Sequence, residues 1–423
     1  MMIIFIYSTV LTLIAPFFLF FLLKKKKGRP TYGPRWKELF GVTPALSNSS
    51  SKSLWFHAVS VGETIAITPL IRRIKQFNPE LNIVFTTTTP TGAKQAEKLA
   101  GLVEHRYMPI DFAIFVRRFI NTVRPEKLII VETELWPNML REVSKSGIPI
   151  FVINARMSEK SCNGYRKVQP LFDIISESIT KFQCVHEDDQ KRFHKLGVDE
   201  SKLEVVGSIK FDIPISERII YYASNLRREI GVDRPIWIAA STHEGEDQII
   251  LDVHKDLVKE FPNALLMVVP RHPERFVDVA TLSQKLFNTI TRTSGRYPQR
   301  DDLVYIGDTM GELLTLIGAS DVCFMGGSLL GKKVGGHNLL EPAAMGKPTL
   351  IGPSYYNFKD ITIQLNAVNS CKIVESHHDI LNEVLYLFRN KKEAATKGEL
   401  AKDVVKKNRG SIERNIRSLG IIE

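Results

Sequence analysis

From Ser53 onward, short apolar runs rich in β-branched residues alternate with stretches that have the residue spacing of a helix. The runs include LWFHAV, NIVFTTTT, KLIIVE and IPIFVIN, and, after a charged helical stretch near residues 208–232, PIWIAAS, NALLMVVP, LVYIGD and DVCFMGG. Such runs are typical of buried parallel strands, and strands that alternate with helices form parallel α/β sheets. The sequence therefore predicts two doubly wound α/β domains, over residues 53–215 and 216–405, and a C-terminal helix over residues 406–423.

The N-terminus is first apolar and then strongly basic. Residues 1–23 contain no charged side chain, and as a helix they are long enough to span about 30 Å of hydrocarbon. The linker that follows, residues 24–52, begins with KKKKGR, and this order is the reverse of that in a cleaved signal peptide. Because positive residues stay on the cytoplasmic side, the pattern predicts a membrane-anchor helix with the remaining chain in the cytoplasm. Shallow insertion into the membrane interface is the alternative.

Charge and cysteine usage exclude several classes of protein. The net charge is +11, and residues 24–27 with Arg29 supply five of these positive charges. The chain has no basic patch interleaved with aromatic residues, which argues against nucleic-acid binding, whereas an anionic lipid fits the neighbouring anchor. The cysteines show no ligand spacing, so we expect buried thiols without disulfides or a zinc site at Cys162, Cys184, Cys323 and Cys371.

The stretch WFHAVSVGE, which ends at Glu63, places an acid where a strand ends and a helix begins. A helix N-terminus carries free N–H groups and partial positive charge, and both favour an ionised carboxylate. On this stretch alone, Glu63 is either a first-turn residue that stabilises the helix or a catalytic base at the edge of a sheet.

Polar side chains follow several predicted strands at the point where each strand ends. In doubly wound sheets ligands bind beyond the carboxyl ends of the strands, and a cleft between two such domains is the expected site. The side chains that meet this description, in chain order, are Glu63, Glu132, Glu134, Lys210, Asp212, Arg271, His272 and Asp308.

Two motifs in the second half predict helix starts. STHEGE has Ser241 or Thr242 as the expected N-cap. GDTMGELL has Asp308 and Thr309 as the expected N-cap, followed by the backbone amides of residues 310–312, which suit an anion. Neither motif is a GxGxxG or Walker pattern, so the sequence argues against a dinucleotide or P-loop site.

Two further motifs carry residue types that suit a nucleotide. PRHPERF pairs the guanidinium of Arg271 with His272, which serve either phosphate oxygens or a surface salt bridge. GGHNLLEPAAMGKP has two glycines that allow close backbone approach, Asn338 as a helix cap, and Glu341 one turn further on, where it suits ribose hydroxyls.

Nine motifs, in order and over nearly the whole chain, together resemble the family of 3-deoxy-D-manno-octulosonic acid (Kdo) transferases. They are HAVSVGET, TTTTPTG, VETELWPN, NARMSEKS, GSIKFD, STHEGE, VPRHPERF, GDTMGEL and GGHNLLEPAAMGKP. The resemblance implies a GT-B glycosyltransferase with two Rossmann-like domains, at the cytoplasmic side of the bacterial inner membrane. It implies transfer of Kdo from CMP-Kdo to the lipid A precursor lipid IVA, with inversion of the anomer and without a metal or other cofactor.

The resemblance also implies roles for single residues. Glu63 would be the general base, and Glu132 and Lys210 would support the transition state. The N-terminal domain would bind the acceptor, and the C-terminal domain would bind CMP through Arg271, His272, Met310, Gly311, Glu312, Asn338, Leu339, Leu340 and Glu341. Because the acceptor hydroxyl must lose a proton as it attacks, the base role is preferred for Glu63.

The loop LLGKKV, before GGHN, is longer than is usual in the family and carries Lys332 and Lys333. These lysines either meet a substrate phosphate or are solvated. Two other functions remain open from the residues. One is a GT-B enzyme that uses a UDP-sugar, and the other is an inactive, membrane-tethered protein that binds a sugar nucleotide.

Overall fold

The computed structural model describes residues 2–23, 30–48, 53–213 and 215–422, without the side chains of residues 18–23 and Lys332. The basic stretch of residues 24–29 lies outside this description. The chain forms two compact units, of which the first comprises Met1–Asp212 with Arg409–Glu423 and the second comprises Ile213–Asn408.

Among its described residues, the first unit has one sheet of seven parallel strands in the order β3-β2-β1-β4-β5-β6-β7. The strands are β1 (Ser53–His57), β2 (Asn82–Thr87), β3 (Glu104–Tyr107), β4 (Pro125–Val131), β5 (Ile150–Ala155), β6 (Lys181–Cys184) and β7 (Leu203–Val205). The helices are α1 (Met2–Leu23), α2 (Val61–Phe77), α3 (Pro90–Ala96), α4 (Ala113–Val123), α5 (Pro137–Lys145), α6 (Glu159–Arg166), α7 (Gln169–Ser178) and α8 (Glu187–Lys195).

Strand β1 shows why these runs are apolar throughout. Successive side chains of a strand point to opposite faces of the sheet. Trp55 packs into one hydrophobic core, in register with Val84 of β2 and Leu128 of β4. Phe56 packs into the core on the other face, together with Ile129. Because helices cover both faces, every residue of β1 is buried, as expected for a parallel sheet.

The second unit repeats this architecture, with seven described parallel strands in the order β10-β11-β9-β8-β12-β13-β14. Its helices are α9 (Glu217–Ile230), α10 (Glu246–Leu257), α11 (Phe276–Gln284), α12 (Leu313–Ala319), α13 (Leu340–Ala344), α14 (Lys359–Ala367), α15 (His377–Arg389) and α16 (Lys391–Asn408). Its strands are β8 (Ile236–Thr242), β9 (Leu265–Pro270), β10 (Thr289–Thr291), β11 (Val304–Ile306), β12 (Val322–Met325), β13 (Thr349–Ile351) and β14 (Cys371–Ile373). The predicted fold class, two parallel α/β domains, is confirmed.

The end of the chain returns to the first unit as α17 (Ser411–Ser418), which packs on α2. Asp212 fixes the start of α17 against the first unit, because its carboxylate accepts the N–H groups of Gly410 and Ile412, each at 2.6 Å. Ile416 is fully buried in the same core as Phe56. Asp212, which follows a predicted strand, is therefore a structural residue that fixes the C-terminal helix.

Helix α1 packs on the first unit through part of its surface. The Tyr7 hydroxyl donates to Asp111 Oδ2 at 2.9 Å, and Ile4 is buried, whereas Phe5 and Phe17 are exposed. Within the part of the chain that is described, no helix is both long and apolar enough to cross a membrane. The predicted spanning of a bilayer by residues 1–23 is not confirmed by this finding.

The order of strands reverses once in each sheet. In the first sheet, the chain proceeds from β1 toward the edge at β3, and then from β4 toward the opposite edge at β7. In the second sheet, the reversal lies between β8 and β12. Such reversals leave a crevice at the carboxyl ends of the two strands, and ligands of doubly wound proteins bind there. A ligand site is therefore expected among the residues that follow β1, β4, β8 and β12.

Candidate active site

Glu63 lies in the first turn of α2, directly beyond β1, as predicted. The Glu63 N–H donates to Oγ of Ser60 at 3.1 Å, and Glu63 Oε2 accepts the N–H of Val59 at 2.8 Å. These reciprocal bonds resemble a capping box and hold the carboxylate in one place. Glu63 is only 7% exposed. The residue thus stabilises the helix start and is also fixed at the reversal point of the sheet.

The pKa of Glu63 is raised above its ordinary value. Burial is the largest cause, and the negative charges of Glu132 and Glu134 raise it further, whereas the hydrogen bonds with Ser60 and Val59 oppose the rise. A carboxylate with a raised pKa is a stronger base when it is ionised. The electrostatics of Glu63 are therefore compatible with proton abstraction as well as with helix capping.

Glu132 and Asn154, at the ends of neighbouring strands, both have a left-handed backbone. Their φ angles are 61° and 51°, a conformation that costs a non-glycine residue about 1 kcal/mol or more. Asn154 Nδ2 donates to Glu132 Oε1 at 3.4 Å, and Ser208 Oγ donates to Asn154 Oδ1 at 3.3 Å. Asn154 was not among the predicted site residues, although it ends the predicted strand IPIFVIN and begins the motif NARMSEKS.

Lys210 reaches the same place from the turn beyond β7. Its Nζ lies 3.7 Å from Glu132 Oε1, and each side chain is about one-third exposed. A partly exposed ion pair at this distance adds little to the stability of the fold. Its relevance is that it places a positive and a negative charge next to each other at the strand ends. Glu132 and Lys210, and Glu63 through its electrostatic interaction with Glu132, are thus brought together at one edge of the first sheet.

Arg271 and His272 follow β9 in the second unit, and both are exposed. The ion pair of this motif is made by Arg275, which binds the buried Asp247 and also donates to the carbonyl oxygen of Thr242 at 2.9 Å. Burial lowers the pKa of His337 and the positive charge of Arg271 lowers it further, whereas the same charge opposes the burial that raises the pKa of Glu341. Arg271 therefore lies near the GGHNLLEP segment, as a shared ligand site requires.

The loop before α12 differs from the prediction. The helix begins at Leu313 with Glu312 as N-cap, and Asp308 instead accepts the N–H of Thr293 at 2.9 Å. The predicted capping by Asp308 and Thr309 is therefore wrong, because positive φ at Gly311 turns the chain once more before the helix starts. Residues 310–312 lie in this turn, and Met310 is 71% exposed.

Glu312 is held by Arg292, a residue for which the sequence offered no signal. Arg292 Nη2 donates to Glu312 Oε1 at 2.9 Å, and Nε donates to Oε2 at 3.1 Å. This bidentate pairing is the largest cause of the lowered pKa of Glu312. The side chain of Glu312 is thus engaged, and Arg292 fixes the loop that precedes α12.

In the segment GGHNLLEP, side chains divide between the core and the exposed edge. Leu339 and Leu340 are fully buried, so only their backbones are available to a ligand. Leu339 is the N-cap of α13, so the predicted cap at Asn338 lies one residue too early, although Asn338 Oδ1 accepts the Leu340 N–H at 3.2 Å. Burial is the largest cause of the raised pKa of Glu341, and the hydrogen bond with Asn338 opposes it.

The STHEGE segment also begins its helix later than predicted. Ser241 and Thr242 end β8, and α10 begins at Glu246 after Gly245, whose φ is 95°. The predicted N-cap at Ser241 or Thr242 is therefore wrong, because the strand continues in its pairing with β9 up to Thr242.

Glu246 is fully buried and connects the two loops at the reversal point of the second sheet. Its carboxylate accepts the N–H groups of Gly327 (2.7 Å), Ser328 (2.9 Å) and Leu329 (3.0 Å) from the loop beyond β12. It also accepts the N–H of His243 at 3.0 Å, from the loop beyond β8.

Lys332 and Lys333 lie in the loop LLGKKV, between β12 and α13. Residues 331–333 form a single helical turn in which Lys333 is exposed, and the side chain of Lys332 lies outside the description. Whether either lysine meets a phosphate stays a prediction. The four cysteines are free and buried, as expected.

Comparison with known proteins gives the family. Residues 34–213 match the family described as 3-deoxy-D-manno-octulosonic-acid transferase (kdotransferase). A transferase of this name from Haemophilus influenzae is 39% identical, over 97% of this chain and 96% of the relative. The chain belongs to the Kdo transferase family. It is therefore a glycosyltransferase of lipopolysaccharide biosynthesis, as the resemblance of its motifs implies.

Solved structures bear on the fold of this Kdo transferase. A glycosyltransferase from Rickettsia africae matches with a TM-score of 0.52 at 13% identity, over 87% of this chain and 97% of that chain. This likeness shows a GT-B fold. The C-terminal CMP-Kdo binding domain of WaaA from Acinetobacter baumannii is 32% identical over 45% of this chain and 99% of that chain, with a TM-score of 0.43.

Proposed function

We propose that this chain transfers Kdo from CMP-Kdo to the lipid A precursor lipid IVA, by a metal-independent, inverting displacement in which Glu63 is the general base. The observation that carries the proposal is the placement of Glu63. Its carboxylate is buried and has a raised pKa at the reversal point of the first sheet, where Glu132 and Lys210 also lie. The identity of the transferred sugar, Kdo, is inferred from membership of the Kdo transferase family.

The chemistry assigns a step to each of these groups. An acceptor hydroxyl attacks the anomeric carbon of Kdo as Glu63 takes its proton, and a new C–O bond forms on the face opposite the nucleotide. The bond between the anomeric carbon and the phosphate oxygen breaks, and CMP leaves with the electron pair. Lys210 supplies positive charge for the growing negative charge on CMP, and Glu132 supplies negative charge for the electron-poor anomeric carbon.

The second unit holds the donor in this proposal. Arg271 and His272 meet the phosphate, residues 310–312 present backbone groups, and Asn338 and Glu341 meet the ribose. A guanidinium and a carboxylate suit these partners, because the first binds phosphate oxygens in pairs and the second accepts bonds from hydroxyls. Leu339 and Leu340 contribute only backbone, since their side chains are in the core.

The acceptor places the enzyme at the cytoplasmic side of the inner membrane in this proposal. Helix α1 carries exposed apolar side chains, among them Phe5, Leu13 and Phe17, and the basic residues that follow it suit anionic lipid headgroups. We propose that residues 1–23 attach the protein to the membrane.

The test is transfer from CMP-Kdo, generated in situ, to tetraacylated lipid A precursor, with product masses read by mass spectrometry. Wild type is compared with Glu63→Gln and with Glu217→Gln, a matched control because Glu217 is an exposed first-turn residue of α9. We expect Glu63→Gln to lose about 100-fold or more in kcat and the control to lose nothing.

Each alternative has its own outcome in this assay. Activity that survives in Glu63→Gln would show that Glu63 only caps the helix and is not the base. Product from a UDP-sugar and none from CMP-Kdo would favour the other kind of GT-B enzyme. Binding of CMP without any product would favour the inactive sugar-nucleotide binder.

A further inference from the structure

Two histidines from different loops of the second unit meet ring to ring. Nε2 of His243, beyond β8, lies 2.8 Å from Nε2 of His337, beyond β12. The rings are within 7° of parallel, with centroids 5.0 Å apart, and His272 contacts His243 edge-on at 5.3 Å. Among the residues described, no three His, Cys, Asp or Glu side chains are placed to hold a metal ion.

The contact limits how many protons the pair can hold. Two ring nitrogens at 2.8 Å share one hydrogen, so one imidazole donates and the other accepts. The Nε2 atom of the accepting ring must therefore carry no proton. The pair of His243 and His337 therefore carries a charge of either zero or about +1, and changes between them by taking up one proton at an outer nitrogen.

Buried hydrogen bonds position the backbone around the pair. Glu246 binds the N–H of His243 and the N–H of Gly327, so one buried carboxylate positions both loops. Gly327 has a φ of 68°, and a Cβ atom there would lie 2.9 Å from the ring of His337. The imidazole of His337 thus packs against a backbone that only glycine leaves open, and both histidines remain partly exposed.

The charges that face the pair are mostly positive. Burial, followed by Arg271, His243 and His272, lowers the pKa of His337 to about 4. Burial also lowers the pKa of His243; Glu246 opposes this, and His272, Arg275 and Arg271 reinforce it. The pair is therefore neutral near pH 7 in the unliganded protein. An anion that binds within about 4–6 Å would favour the protonated pair and raise these pKa values.

We propose that His243 and His337 form a proton-linked subsite for an anionic group of the nucleotide-sugar donor, its phosphate or its sugar carboxylate. The inference rests on the proposed function, because it concerns the donor site of the second unit. Neither histidine belongs to the residues that the sequence assigned to CMP. In this site, binding of the donor takes up as much as one proton, and the bound anion neutralises the protonated pair.

The linkage has a definite sign. Because the pair has a higher pKa with donor bound than without, the affinity is greatest at low pH and weakens as pH rises. Between the free and the bound pKa values, Kd increases by up to about tenfold per pH unit. Below the pKa of the unliganded pair, the linkage disappears, since the pair is then protonated in both states.

The experiment is calorimetric titration of the full-length protein with CMP, in buffers that have different ionisation heats, between pH 6 and pH 8. Wild type is compared with His243→Asn and His337→Asn, and with His378→Asn, an exposed histidine that serves as control. The phosphate of CMP titrates near pH 6 in every sample, so the difference between proteins isolates the histidines. Cytidine is the uncharged probe.

We expect wild type and His378→Asn to take up more protons than either Asn variant of the pair, by as much as one per CMP, and none with cytidine. If the excess appears only with CMP-Kdo, the anion is the sugar carboxylate. As a check that requires no variant, nitrogen NMR of ¹⁵N-histidine-labelled wild type should show an imidazole becoming protonated on ligand binding.

Equal proton uptake by all four proteins with both CMP and CMP-Kdo, and unchanged imidazole signals, would overturn the inference. The pair would then be a contact that only joins two loops. CMP binding of normal strength without this uptake would leave the proposed function intact, whereas a protein that binds neither CMP nor CMP-Kdo would refute both.

Discussion

At the scale of single residues, the acidic limb of the pH profile should report Glu63. A general base works when ionised, so the rate falls as pH drops through its raised pKa. Glu134 contributes to that raised pKa by its charge. We therefore expect Glu134→Gln to lower the pKa of Glu63 and to move the acidic limb of kcat/KM to lower pH.

The measurement is kcat/KM against pH for wild type and Glu134→Gln, with Glu217→Gln as the control. Gln retains an oxygen that can accept the bond that Glu134 receives from the indole of Trp136, so the charge is the main change. An acidic limb that stays in place, or that moves to higher pH, would contradict the assignment of that limb to Glu63.

At the scale of elements, the junction of β8, β12 and α10 depends on Glu246. A buried carboxylate that accepts four backbone N–H groups loses two or more of these bonds when an amide NH₂ replaces one oxygen. We expect Glu246→Gln to lower the free energy of unfolding of the second unit by roughly 2–4 kcal/mol. Denaturant titration of the full-length protein measures this.

Glu244→Gln is the matched control for that prediction, since Glu244 is exposed in the same loop. We expect the control to change the free energy of unfolding by less than about 0.5 kcal/mol. An equal effect of both variants would show that the loss arises from the charge of the loop and not from the buried bonds of Glu246.

At the scale of the whole molecule, the chain returns from the second unit to complete the first. Ile416 of α17 is fully buried in the core that α2 shares. Ile416→Ala should therefore destabilise the first unit by about 2–5 kcal/mol, although the residue lies nearly at the end of the sequence. CMP affinity, which we assign to the second unit, should remain unchanged.

Denaturant unfolding, with CMP binding as a separate readout, tests this division. Ile220→Ala is the control, because Ile220 is exposed on α9 and its truncation creates no cavity. Loss of CMP affinity in step with stability in Ile416→Ala would show that α17 also supports the second unit.

The predictable part of the site came from strand ends. Buried parallel strands are continuous apolar runs, which can be read from the sequence. The ends of β1 and β4, and with them the positions of Glu63 and Glu132, were therefore predictable from the sequence alone. Residues of the proposed nucleotide site, such as Arg271 and Asn338, were predicted because they are polar groups that follow a predicted strand or a pair of glycines. Helix starts were less reliable, because Gly245 and Gly311 delay α10 and α12 by several residues.

The sequence alone determined the fold class, the two-part organisation and the family, since apolar runs, their spacing and the ordered motifs are all local properties of the chain. Only the tertiary structure decided which groups meet across loops. Asn154 with Glu132, Arg292 with Glu312, and His243 with His337 lie 20 or more residues apart. The third pair joins the loops after β8 and β12, which are neighbours in the sheet but not consecutive in the chain, and no local pattern records that order. The first two pairs join segments at the ends of consecutive strands, and their contacts depend on how those segments fold.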